Sequence, residues 1–446
     1  MKSFSINTIG CKVNQYESQQ IRTMLEQFGL KQVMPTEKPQ LVIINTCCVT
    51  HRASAKSRQC IRKAQRLYPE STVIVCGCLT RGRTGELDGI SKEARIVKEQ
   101  CELAATLLQT AGQKAGGRAA GDFITASVNS ACGDSNYLPA LKSFSGHTRA
   151  FLKVQDGCDG RCSYCIIPRT RPVVKSRAMQ DVLGEARALV DSGHKEIVVT
   201  GVFLGSYGQT TVRRAKWDGR VNPKFAELLG KMARIEGLER IRLSSLEPGD
   251  VGEELLEVMA DNRNILPHLH LSLQSGSDEV LKKMGRQYGA AEFFRKVERL
   301  KDYLDRPAIT TDIIVGFPGE SEDDFARTVE LAEEAGFAKV HVFSFSARRG
   351  TAAARMQGVV DKKVIKERAR VMNEVGERVG AAFREQFVGD EALVLVEDDG
   401  GKARGRTERY FMAEIRNGLG REIKKGDLVN VRLKENCRDG MVGELI

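Results

Sequence analysis

Apolar residues in the first hundred positions fall into short runs, SFSINTIG, LVIINT and TVIVCG, separated by helical patterns near Glu17–Phe28 and Arg52–Leu67. Strands that alternate with helices in this way imply a parallel sheet covered on both faces. The alternation restarts at Ala150 and runs for six cycles: AFLKVQ, EIVVTGV, RIRLSSLEP, LHLSLQSG, AITTDIIVGF and KVHVFSF. Helical patterns such as Gln180–Ser192 and Ser321–Gly336 separate these runs, and six consecutive βα units fit an incomplete (βα)6 TIM-like barrel, open on one side. A charged amphipathic helix over Asp361–Phe387 follows. Beyond it the short runs EALVLVED, RYFMAEI, DLVNVRLK and MVGELI, with Gly-rich turns, predict a small closed antiparallel β-barrel.

The α/β chain thus divides into a parallel-sheet domain over 1–112, a linker over 113–145, a barrel over 146–376 and a β-barrel module over 377–446. The linker assignment rests on GQKAGGRAAGD at Gly112–Asp122 and irregular sequence to about Gly146. No run approaches the roughly 18 uncharged apolar residues of a membrane span, and MKSFSINTIG is too short and polar for a signal peptide. A cytoplasmic protein without a membrane partner is expected.

In a reducing compartment twelve cysteines point to metal binding or catalysis more than to disulfides. DGCDGRCSYCIIP places Cys158, Cys162 and Cys165 within eight residues, just after the first barrel strand. Thiolates at this spacing can hold a [4Fe–4S] cube, and three ligands leave one iron open to the amine and carboxylate of S-adenosylmethionine. A structural zinc loop is the competing reading. The motif, with Tyr164 before the last cysteine, resembles the radical S-adenosylmethionine superfamily. That resemblance implies an active site at the strand ends, where Tyr164, Gly201, Glu247 and Gln274 are candidate contacts to S-adenosylmethionine. For any single glycine such as Gly201, an ordinary tight turn is the favoured reading.

Cys11, Cys47 and Cys78 each lie just beyond the carboxyl end of an amino-terminal strand, the edge at which open α/β sheets bind ligands. They could converge on a second three-cysteine cluster or be isolated structural thiols, and the adjacent Cys48 and Cys76 compete for two of the positions. Cys76 reads as a buried strand residue and Cys48 as the start of a turn, while Cys60, Cys101, Cys132 and Cys437 read as unliganded.

Taken with the CxxxCxxC domain and the terminal β module, the contexts GCKVN, NTC and GCL resemble the methylthiotransferase family from end to end. That resemblance implies an auxiliary [4Fe–4S] cluster on Cys11, Cys47 and Cys78, a radical-generating cluster on Cys158, Cys162 and Cys165, and a TRAM domain at the carboxyl end. It further implies that one S-adenosylmethionine supplies the methyl group, and that a second is cleaved to the 5′-deoxyadenosyl radical that removes a substrate hydrogen. An electron donor such as flavodoxin or ferredoxin is expected.

SSLEP and HVFSFSARRGTAA are similar to the branch acting on N6-threonylcarbamoyladenosine 37 of tRNA. Isopentenyladenosine 37, a ribosomal-protein aspartate and a non-catalytic iron–sulfur RNA binder are the alternatives. The net charge of +11 favours a polyanion. Lys402, Arg404, Arg406, Arg409, Tyr410 and Phe411 offer charge interleaved with stacking surface for RNA, and Arg348 and Arg349 are candidates for the threonyl carboxylate. One departure stands out: Pro172 occupies a position where relatives usually carry glycine, which fixes φ and removes an N–H beside the cofactor loop.

Overall fold

The computed structural model describes residues 1–82, 85–87, 89–90, 94–112, 138–216, 222–418 and 420–446. Cys132, the side chain of Cys101 and most of the expected linker lie outside the described residues. The linker's last residues do not run free. Leu138 packs into the amino-terminal core, and Leu141 and Phe144 into the central one.

Five parallel strands form the first sheet in the order β2-β1-β3-β4-β5: β1 (Ser3–Thr8), β2 (Lys31–Gln32), β3 (Leu41–Thr46), β4 (Thr72–Gly77) and β5 (Arg95–Ile96). The run LVIINT is buried throughout because both faces are covered: Leu41 and Ile43 join a core with Phe4, Ile21 and Leu25, and Val42 and Ile44 join one with Ile61, Val73 and Val75. Helix α1 (Lys12–Gln27) begins five residues earlier than apolar periodicity indicates. Its first turns bury polar side chains. Asn14 donates to the carbonyls of Ile9 and Thr46 at 2.8 and 2.9 Å, and Tyr16 and Glu17 meet the central domain. Helix α2 (His51–Leu67) follows β3 and is capped by Thr50, whose hydroxyl accepts from the N–H of Ala53. The short α3 (Cys78–Arg81) follows β4 directly, and α4 (Gln100–Gly112) closes the domain.

The six expected barrel strands appear in order, the third of them split into two short strands, β10 (Arg240–Leu243) and β11 (Ser245–Leu246). β6 (Arg149–Lys153), β9 (Glu196–Thr200) and β10 pair in parallel, as do β11, β12 (His268–Leu271), β13 (Ala308–Val315) and β14 (Lys339–Ser344). A bridge between Ile241 and Ile265 joins the two groups, and one apolar core runs through both. A short antiparallel pair, β7 (Gln155–Asp156) with β8 (Lys175–Ser176), brackets the cysteine loop and its single-turn α5 (Ile167–Thr170), after which α6 (Met179–Asp191) begins the outer helical layer.

The division at 376/377 falls inside one helix, α7 (Lys362–Glu385). Its Met372, Val375 and Val379 pack on the barrel, while Phe383 packs into the terminal module. That module is a closed five-stranded barrel, β15 (Glu391–Asp398), β16 (Arg404–Arg406), β17 (Met412–Arg416), β19 (Gly440–Leu445) and β18 (Leu428–Cys437). It differs from the expected all-antiparallel form in one pair, since β17 and β19 run parallel. It docks on the amino ends of the central strands, leaving their carboxyl ends for chemistry. Buried Arg240 and Arg242 donate to the carbonyls of Leu393, Arg406, Thr407 and Glu408, and Glu196 between them is fully buried.

Candidate active site

At the carboxyl end of the barrel, Cys158, Cys162 and Cys165 line a cavity of about 550 Å³ together with Tyr164, Phe203, Glu247, Arg286 and Gln287. Gly157, at φ +79°, admits the loop: a Cβ there would stand 1.8 Å from the Val173 carbonyl oxygen. N–H groups already point at two of the sulfurs, from Gly160 to Cys158 Sγ at 3.3 Å and from Arg286 Nη1 to Cys162 Sγ at 3.3 Å. Burial pushes the Cys158 and Cys165 thiols up to about 12, so metal must displace their protons on binding. Three thiols with donors aimed at their sulfurs suit a thiolate-held cluster. Among the described residues, no three ligating side chains are drawn close enough to hold a single ion.

Arg286 joins the sulfurs to the far wall of the cavity. Its Nη2 pairs with Glu247 at 2.6 Å, and Glu247 also accepts from Arg214 at 2.8 Å. Burial opposes the Arg286 charge, but Glu247, Tyr164 and Tyr288 outweigh it and hold its pKa well above the ordinary arginine value. Of the four cofactor candidates, Tyr164 and Glu247 line the cavity, and neither Gly201 nor Gln274 is among its lining residues. Gly201 packs against Gln155, and Gln274, at φ +70°, joins the sheet through main-chain bonds to Asp312 and Ile314.

The amino-terminal cysteines Cys11, Cys47 and Cys78 lie at the carboxyl edge of their sheet, near enough to act on one another electrostatically, and the glycines before two of them show why the motif reads GC. Gly10 takes φ +118°, and a Cβ on it would lie 2.7 Å from Cys47 Cβ and 3.0 Å from Cys47 Sγ. Gly77 takes φ +96°, with the Thr46 carbonyl oxygen 2.4 Å from a Cβ placed there. Only glycine lets these loops close on one another. Cys76 points to the opposite face, into the core with Phe4 and Ile21, and is set apart from Cys78. Cys48 is less separated, packing beside Cys78 and Ile166, while Cys47 faces Gly10 and Cys11.

A buried charge network ties the two sites together. Arg171 forms a bidentate pair with Glu17, both bonds 2.8 Å, and reaches Asp156 at 2.8 Å; Lys153 completes the set with Glu17 at 3.2 Å and Asp156 at 3.0 Å. Burial works to raise the Glu17 carboxyl, but Arg171 and Lys153 overcome it and lower it to about 2. A neighbouring set, Tyr16–Glu185–Arg177, is buried in the same interface.

Residues 152–332 match the radical SAM superfamily, and residues 3–98 match an uncharacterized protein family, UPF0004. The chain is 36% identical over its full length to a threonylcarbamoyladenosine tRNA methylthiotransferase of Chlamydia pneumoniae, covering 98% of that protein. It is 35% identical, over 99% of its length and 96% of the relative's, to one of Thermotoga maritima. The chain belongs to the methylthiotransferase family of radical S-adenosylmethionine enzymes. A further relative, 33% identical over the full chain and 93% of its own length, is a tRNA-2-methylthio-N(6)-dimethylallyladenosine synthase of Alkaliphilus oremlandii. Among solved structures, the radical S-adenosylmethionine methyltransferase TsrM of Kitasatospora setae superposes with a TM-score of 0.54 at 16% identity, over 77% of this chain and 72% of that one; the likeness concerns the fold alone.

The methylthiotransferase uses several of its predicted substrate residues otherwise. Arg348 is buried and donates to the Cys48 carbonyl and Ser54 Oγ at 2.7 Å and to Glu86 at 3.2 Å, so it secures the Cys47–Cys48 loop. Arg349 is exposed. Tyr410 is held in the barrel–barrel interface, its ring 4.5 Å from that of His268 and stacked by Arg406 and Arg242. Arg406 also pairs with Glu397 at 3.3 Å, and Arg404 pairs with Glu414 at 3.2 Å on the exposed side. Arg171, Glu17 and Arg286 carry no motif that a single sequence displays; their partners lie up to 157 residues away.

Proposed function

We propose that this methylthiotransferase inserts a methylthio group at C2 of N6-threonylcarbamoyladenosine at position 37 of tRNA. The observation that carries the reading is full-length similarity at 36%, 35% and 33% to relatives named for threonylcarbamoyladenosine. The reading is supported by one loop that carries three cysteines and by three further cysteines that each follow a strand of the amino-terminal sheet. Cys158, Cys162 and Cys165 would hold the cluster that binds S-adenosylmethionine, and Cys11, Cys47 and Cys78 an auxiliary cluster. When bound, these groups supply the radical chemistry and the sulfur that no side chain can provide. The chain's own residues shape the cavity. Glu247 and Arg286 orient its polar wall, and Tyr164 and Phe203 help exclude water. Exposed Arg349 is the remaining candidate for the threonyl carboxylate, and a flavodoxin or ferredoxin would deliver electrons.

A tRNA partner is supported by α2. Arg52, Lys56, Arg62, Lys63 and Arg66 are exposed on it, the helix has no acidic residue, and none of the five has an ion-pair partner among the described residues. Positions 52, 56, 63 and 66 share one face over about 21 Å at 1.5 Å per residue. This basic stripe begins beside the Cys47–Cys48 loop and suits a phosphate backbone.

The test is mass spectrometry of tRNA nucleosides from a deletion strain. The expected result is accumulation of unmodified threonylcarbamoyladenosine, reversed by wild type but not by Cys78→Ala or Cys162→Ala. Loss of the methylthio mark from isopentenyladenosine instead would overturn the substrate assignment.

A further inference from the structure

Arg171 touches cysteines of both sites, one through its main chain and the other through its side chain. Its carbonyl accepts the N–H of Cys158 at 2.8 Å, which fixes the first residue of the CxxxCxxC loop. Its guanidinium crosses into the amino-terminal domain, where Nε donates to Cys78 Sγ at 3.4 Å and Nη2 reaches Asn14 Oδ1 at 3.5 Å. The same Asn14 amide holds the carbonyls of Ile9 and Thr46, just before Cys11 and Cys47. Glu17 and Asp156 lock the guanidinium plane from either domain, and the residue is only 5% exposed.

Adhesion between domains does not require this placement, since Tyr16, Arg177 and Glu185 bind the same two domains without touching a cysteine. Lysine could supply the charge but not the planar fork that engages Glu17 bidentately while Nε stays on the sulfur. A donor to a ligand sulfur withdraws negative charge from a cluster and raises its reduction potential. Sulfur transfer from one site to a radical made at the other also needs a fixed separation, because a 1 Å misplacement can cost about 100-fold in rate.

We propose that Arg171 is a positioning residue that sets the auxiliary site against the radical site and tunes the auxiliary cluster through its bond to the Cys78 sulfur. The proposal rests on the two-cluster reading above. Its test is the double variant Arg171→Met/Glu17→Gln, which removes the donor together with one of its two counter-charges and keeps the Lys153–Asp156 pair. Arg171→Lys is the companion, retaining the charge should the double variant fail to fold.

After anaerobic reconstitution, the expected result is about eight irons per chain in both variants, as in wild type. Cleavage of S-adenosylmethionine persists, the midpoint potential of the auxiliary cluster falls, and methylthiolated product per 5′-deoxyadenosine drops at least about tenfold. An unchanged potential and an unchanged product ratio in the folded variant would overturn the proposal. A wild type holding only about four irons would instead sink the two-cluster reading, and the proposal with it.

Discussion

Replacing Glu196 with glutamine should undock the two barrels at a predictable cost. Glu196 is fully buried at the start of β9, accepting from Arg242 Nε at 2.8 Å and pairing with Arg240 Nε at 2.8 Å, and both arginines are about 1% exposed. Burial works to raise its carboxyl, but Arg242 and Arg240 outweigh it and hold the pKa below the ordinary value. The glutamine variant keeps the shape and leaves two buried guanidiniums without their counter-charge, a defect that costs about 3–5 kcal/mol. The docked unit from Arg149 to the carboxyl end has about 300 residues. At about 2.1 cal/mol/K per residue its unfolding entropy is ~0.6 kcal/mol/K, so Tm should fall by roughly 5–8 °C. Glu397→Gln is the control, because Glu397 pairs with Arg149 and Arg406 in the same interface at 21% side-chain exposure and should cost about 1 kcal/mol or less. Differential scanning calorimetry, with hydrogen exchange over 404–412, reads both. If Glu196→Gln shifts Tm no more than Glu397→Gln, the buried-charge account of the docking is refuted.

Neutralising Arg52, Lys56, Lys63 and Arg66 together as glutamines should lower the slope of log K for tRNA against log salt by about 3, at roughly 0.7–0.9 per phosphate contact; an unchanged slope would remove α2 from the RNA-facing surface. Cys78→Ser should lower the iron content from about eight to about four, whereas Cys76→Ser should leave the iron and instead cost about 1–3 kcal/mol by placing a hydroxyl in the core with Phe4 and Ile21; equal iron loss in both would contradict the opposite facing of these residues. Glu17 is depressed from 4.5 to about 2, so its contribution to domain docking is fully present above about pH 5 and is lost as pH falls through about 2. The stability gap between wild type and Glu17→Gln should therefore be flat from pH 6 to 9 and close between about pH 4.5 and 2; a gap that changes near pH 7 would point to another titrating group.

Strands were the most legible feature of the chain. LVIINT and TVIVCG announce themselves because both faces of the amino-terminal sheet are apolar, and the six barrel repeats because each strand is followed by an amphipathic helix. The start of α1 was hidden for the opposite reason, since Asn14, Tyr16 and Glu17 bury polar groups against another domain, a face that hydrophobic periodicity cannot register. The cysteine trios were visible as spacing and context, and Gly10 and Gly77 supply the steric reason for two of those contexts. Arg406 and Tyr410 were visible only as residue types suited to RNA, and Arg348 only as one suited to a carboxylate. Their burial depends on Cys48, Glu397 and His268, which no local pattern connects to them.

The distribution of polar and apolar contacts has a mechanistic consequence. Within each domain the core is apolar, where many packings of similar volume are close in energy. Between the amino-terminal domain and the barrel, by contrast, the contacts around the cysteines are charged and hydrogen-bonded: Glu17, Lys153, Asp156 and Arg171, then Tyr16, Arg177 and Glu185. Such a set offers little net stability over an apolar surface, but each bidentate or buried bond is satisfied in one relative orientation and leaves an unpaired charge in any other. On the proposed two-cluster reading, an enzyme that makes its radical at one three-cysteine site and draws sulfur from another needs that orientation more than it needs adhesion. Arg171 sits where the requirement is sharpest, with Cys158 on its carbonyl and Cys78 on its Nε.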